Sequence, residues 1–108
     1  MSKFDEYLDA VMADAKILLS STIREGKKEA REILEAHVQN SKDRLQRWTK
    51  LLANGDLEKR EFQLLINNQI TLGRMRLRTV EVIGKRAALD FRNALRSLFI
   101  DKAFEIFL

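Results

Sequence analysis

The chain of 108 residues has no cysteine and no proline, and only four glycines, one tryptophan, one tyrosine and one histidine. Each scarcity excludes something. Without cysteine there is no disulfide, no thiolate nucleophile and no cysteine-held metal. One histidine cannot supply, within one chain, a zinc or di-iron site that needs two imidazoles. Nor does His37 complete the Glu-x-x-His pattern of bundle metal sites, because Leu34 stands where that pattern puts its glutamate. Glycine-rich phosphate loops and nucleophile elbows are missing as well. The sequence therefore predicts no catalytic residue, no cofactor and no metal, and a protein that is not an enzyme. The longest uncharged run, residues 62–73, spans twelve positions, against the roughly 20 apolar residues of a membrane span. The start, Met-Ser-Lys-Phe-Asp-Glu, carries acids where a secretory leader has its apolar core, so a cytoplasmic location is expected.

What is present is the composition of a folded chain, 45% apolar and 33% charged with a net charge of +4. Proline costs about 3 kcal/mol inside a helix, so its absence leaves glycine and polar clusters as the only punctuation. Ala53-Asn54-Gly55-Asp56 reads as a turn: Gly55 can take the left-handed conformation that ends one helix, and Asp56 can cap the next. The fold expected is all-α. Two long antiparallel helices, about 3–53 and 56–107, form one helical-hairpin domain over 1–108. In the first half, three rows repeat every eleven residues: Met1, Met12, Ile23, Leu34 and Leu45; Leu8, Leu19, Ala30, Ser41 and Leu52; Phe4, Ala15, Gly26, His37 and Trp48. The second half runs in heptads through Ile66, Ile70, Gly73, Leu77, Val80, Gly84, Ala87, Phe91, Ala94 and Leu98. A second stripe, Leu65, Leu72, Met75, Val82 and Leu89, lies on another face and calls for a second neighbour.

Folding at the mid-chain turn sets Trp48 opposite Phe62, His37 opposite Gly73, Gly26 opposite Gly84, Ala15 opposite Leu95 and Phe4 opposite Ile106, so Gly26 and Gly84 are expected to mark close helix contact. On the same register Glu25 falls near Lys85, Glu32 near Arg78, Glu35 near Arg74, Asp14 near Arg96 and Arg47 near Glu61. A competing layout breaks both long helices, at the Thr22-x-x-Glu25 capping box with Gly26 and at Gly84, and gives a four-helix bundle.

Gly55, Leu57, Glu61 and Phe62 resemble the back half of a calcium-binding EF-hand, but Lys50 and Leu52 occupy its first and third ligand positions and cannot coordinate calcium. His37 is read as a partly buried histidine facing Gly73, bonded to Ser41 or a main-chain carbonyl. Arg74, Arg78, Lys85, Arg92 and Arg96 share one side of the second half and are the candidate anion-binding residues. The C-terminal stretch is the most apolar, with four of the six phenylalanines at or after Phe91. Together with the second stripe it gives a candidate oligomer interface of Leu65, Leu72, Met75, Val82, Leu89, Phe99, Phe104, Phe107 and Leu108. The function expected is structural or adaptor-like. The hairpin would associate into a larger helical bundle or coiled-coil assembly, with copies of itself or another helical protein. The alternative is a membrane-surface or nucleic-acid binder using the apolar C-terminus or the basic stripe.

Overall fold

A computed structural model describes residues 2–24, 26–71, 74 and 84–108, which form four helices and no strand. The first, α1, runs Lys3–Thr22. It is opened by Ser2, whose hydroxyl accepts a hydrogen bond from the Asp5 amide at 3.1 Å, and by Asp5 and Glu6, whose charges suit the positive end of the helix. Phe4, Tyr7, Val11, Ala15 and Leu19 line its buried face at helical spacing. At Ile23 the backbone turns extended, with the amide still bonded to the Leu19 carbonyl. Gly26, at φ 73°, supplies the left-handed step into α2, Lys27–Ala53.

The end of α2 is a Schellman motif. Gly55 sits at φ 80°, the Asp56 amide bonds to the Leu51 carbonyl at 2.9 Å, and the Gly55 amide to that of Leu52 at 3.2 Å. This realises the expected glycine turn but moves the next helix start. Asp56 lies inside the motif and caps nothing; α3 runs Lys59–Gln69, and Glu58 and Glu61 form its reciprocal capping box. Glu61 is used there as a cap, in the position that suggested a calcium ligand. The last helix, α4, covers Lys85–Phe107 with Gly84 as its N-cap.

The two uninterrupted helices expected over 3–53 and 56–107 are thus broken, the first at Ile23–Gly26 and the second after Gln69 and again at Gly84. The reason is burial. A 50-residue helix, roughly 75 Å long, can cover only one seam of a single partner. Breaking at Gly26 turns α1 back so that it meets both α2 and α4. The longest dimension is consequently 42 Å, about the length of α2, and the radius of gyration is 13.7 Å, close to the roughly 13 Å of a compact chain of this size.

Contacts fix the neighbours. Between α1 and α2, Lys16 pairs with Glu35 at 3.7 Å; between α1 and α4, Lys102 reaches Asp14 at 3.3 Å. Fully buried Tyr7 sits in the α1–α4 seam, its hydroxyl donating to the Phe99 carbonyl at 2.9 Å and its ring meeting Phe99 and Phe107 edge-on. Burial pushes its phenol pKa strongly upward, so it stays a donor. Phe62 of α3 meets Phe104 of α4, with ring centroids 6.0 Å apart. Ser41 of α2 meets Gln69 of α3, on the register expected from the mid-chain turn.

Several expected pairs are re-partnered. Glu35 takes Lys16 in place of Arg74, and Asp14 takes Lys102 in place of Arg96. Glu25, Gly73 and Arg78, and the pairs built on them, lie outside the described residues. Gly84 is not a close-contact glycine. It is exposed, a Cβ there would meet nothing within 4 Å, and its φ of +92° is what the position requires. The heptad stripe is overturned within α4: Phe91 is buried, but Ala87, Ala94 and Leu98 are only half-buried, and the buried face is Ala88, Phe91, Leu95, Phe99 and Ala103. A straight α-helix drifts about 20° per heptad, so a seven-residue repeat leaves the core face unless the helices supercoil.

Candidate functional site

The apolar C-terminus is largely consumed by the chain itself. Phe99, expected at an oligomer interface, is buried against Tyr7, and this correction follows from the return of α1 onto α4. Phe104 packs on Phe62 with the Lys59 ammonium 5.4 Å from its ring centre, and Phe107 packs on Tyr7. Both remain half-buried, as do Leu65 and Leu89. Leu108 is exposed, at 59%, and outside the expected stripes so are Ile17 of α1, at 69%, and Leu64, at 55%. Leu72, Met75 and Val82 lie outside the described residues. No described helix is long and apolar enough to cross a membrane.

The basic side of the second half divides in the same way. Arg96 is half-buried and serves the end of α3: its guanidinium donates to the Ile70 carbonyl at 2.7 Å and to that of Asn67 at 2.9 Å, carbonyls that the helix end leaves without a helical donor. Desolvation, and then Arg92, lower its pKa. Arg92 bonds the Asn93 side chain, Lys85 is exposed, and Arg86 holds Asp90 at 3.3 Å. Of the candidate anion-binding residues, Arg78 lies outside the described residues, and Arg96 is engaged at the end of α3.

Arg74 instead joins a cleft of about 430 Å³ between α2 and the end of α3. The floor comes from α2, whose helical spacing turns His37, Asn40, Ser41 and Arg44 to one side. Gln69, the last residue of α3, closes the opposite wall, while Arg74 stands at the rim with its amide held by the Thr71 hydroxyl at 3.1 Å. Ile33 and Ala36 add a less polar side. His37, Ser41 and Gln69 are buried, at 7%, 1% and 7% exposure, in a seam whose neighbouring positions are Leu34, Leu45 and Ile66.

Polar groups in such a seam cost about 1 to 3 kcal/mol each when unpaired, and two of the three are paired. The Gln69 side-chain amide donates to the Ser41 hydroxyl oxygen at 2.8 Å. His37 is the exception, since its buried Nε2 has no hydrogen-bond partner among the described residues. Its pKa is lowered by burial; the Gln69 main-chain carbonyl acts in the opposite sense, and the Arg74 charge again lowers it. The ring is therefore neutral at pH 7. Among the described residues no Asp or Glu lines the cleft, and none forms an ion pair with Arg44 or Arg74. No three-residue group of metal ligands occurs among the described residues either.

The sequence isolated His37 and Arg74 separately and missed Arg44, Asn40 and Gln69. Arg44 and Asn40 carry the right signal, eight and four residues before Leu52 and Arg44 on the α2 face, but nothing local says that α3 ends beside them. In comparisons with known proteins, no family model, no curated protein and no solved structure matches the chain.

Proposed function

We propose that the chain is a non-enzymatic structural or adaptor protein that works through helix-on-helix contact, with a second copy of itself as partner. The observation that supports this is the apolar surface that the core leaves outside on α3. On α3, Leu64 projects outward at 55% exposure and its neighbour Leu65 is only half-covered. Phe62 and Ile66 of the same helix are fully buried, so α3 carries apolar side chains on more of its circumference than its own chain covers. Complete burial of a leucine is worth about 1.5 to 3 kcal/mol, and a two-fold association would repeat the contact, burying the leucine of both copies.

Light scattering on a size-exclusion column at micromolar concentration tests the reading. The expected result is a mass above one chain for the parent and a lower mass for Leu64→Glu, with the far-ultraviolet circular dichroism unchanged. A parent that elutes with the mass of one chain at every concentration overturns self-association.

A further inference from the structure

We infer that the cleft between α2 and the end of α3 is a binding site for a small organic phosphate, a monoester in its doubly charged form. The inference is independent of self-association and rests on the cleft's chemistry. Two guanidiniums, of Arg44 and Arg74, border it without a carboxylate partner among the described residues. A dianion matches that charge, and guanidinium forks suit phosphate oxygens geometrically.

The remaining polar groups supply donors. Gln69 already donates to the Ser41 oxygen, which occupies an acceptor position there and leaves the hydroxyl proton free to point into the cleft. Asn40 adds a side-chain amide. The buried Nε2 of His37, which lacks a partner among the described residues, joins them as a donor when the dianion draws a proton from solvent onto the ring. A carboxylate has two oxygens to satisfy this many donors; a phosphate monoester has three terminal oxygens and a bridging one. The cleft, at about 430 Å³, also exceeds what a bare phosphate fills and lies within the usual range of small-ligand pockets. Ile33 and Ala36 give the organic part of the ligand an apolar wall.

Because His37 is the only histidine, its ring resonances are unambiguous. Calorimetry and ring nuclear magnetic resonance on the full chain, with phenyl phosphate as probe, inorganic phosphate as the bare anion and benzoate as the carboxylate, form the test. Phenyl phosphate is expected to saturate with a Kd below about 1 mM, roughly tenfold or more tighter than benzoate and tighter than inorganic phosphate. The His37 signals are expected to move in step with that saturation. Arg44→Gln and Arg74→Gln, both at exposed positions that the fold does not depend on, should each weaken phenyl phosphate about tenfold. Arg31→Gln, on α2 but outside the cleft, should leave it unchanged. Equal affinity for benzoate, His37 signals unmoved at saturation, or the same loss in Arg31→Gln overturns the proposal. So does phenyl phosphate binding that falls with Lys85→Gln but survives Arg44→Gln, which places anion recognition on α4.

Discussion

Tyr7 is the residue on which the return of α1 depends, and replacing it separates two contributions. Tyr7→Phe removes only the hydroxyl that donates to the Phe99 carbonyl. That carbonyl lies inside α4 and keeps its helical hydrogen bond, so no buried acceptor is stranded, and the cost should be about 0.5 to 1.5 kcal/mol, toward the lower end. Tyr7→Leu also removes the ring. Its edge-on contacts with Phe99 at 6.3 Å and Phe107 at 5.7 Å contribute about 0.5 to 1.5 kcal/mol each beyond area burial. Together with the hydroxyl, the loss should reach about 2 to 4 kcal/mol, a large share of the 5 to 15 kcal/mol typical of a domain. Urea unfolding followed by circular dichroism measures both variants on one two-state scale. A Tyr7→Leu midpoint indistinguishable from that of the parent, with an unchanged slope, would mean that α1 does not dock on α4 through this seam.

His37 makes stability depend on pH. Its folded pKa lies below the ordinary 6.5 because burial disfavours the imidazolium, so the unfolded chain binds more protons in that window. The contribution is fully present above pH 6.5 and is lost as the pH falls below it toward the folded value; in phosphate-free buffer, a His37→Asn variant should show a shallower loss in urea titrations between pH 7 and 5, and an identical slope would remove the argument. At Gly84 the φ of +92° and the open space around a Cβ mean that backbone strain, not crowding, resists substitution. Gly84→Ala and Gly84→Leu should therefore destabilise by a similar amount, about 1 to 3 kcal/mol, in thermal melts, whereas a much larger loss for leucine would restore the close-contact explanation.

The eleven-residue rows of the first half survive the break in the helix. Ile23, Leu34 and Leu45 are buried, as are Leu19, Ala30, Ser41 and Leu52, and Phe4, Ala15 and His37. Periodicity reports which side of each turn meets apolar surroundings, and that is preserved when a helix is cut and folded back. It does not report how wide the buried arc is. Tyr7 and Val11 fall outside all three rows yet are fully buried, because α1 meets α2 on one side and α4 on the other. The same limitation hid Arg96, whose charge suggests solvent but whose guanidinium ends α3.

The sequence by itself determined the all-helical class, the Gly55 turn and most of the buried face of the first half, since these follow from local propensity, glycine's access to positive φ and side-chain spacing. It also raised, through Gly26 and Gly84, two of the breaks that the chain adopts, though not the one after Gln69, and could not choose between broken and continuous helices. That choice belongs to the tertiary structure. Leaving the helix at Ile23 and re-entering it through the left-handed Gly26 forgoes a few helical hydrogen bonds, a loss offset by the apolar surface that α1 covers on α2 and α4 at once, a gain that exists only when residues far apart in the chain meet. The cleft arises in the same way: His37, Arg44, Gln69 and Arg74 become one site because α3 ends against the middle of α2, and no spacing along the chain encodes that meeting.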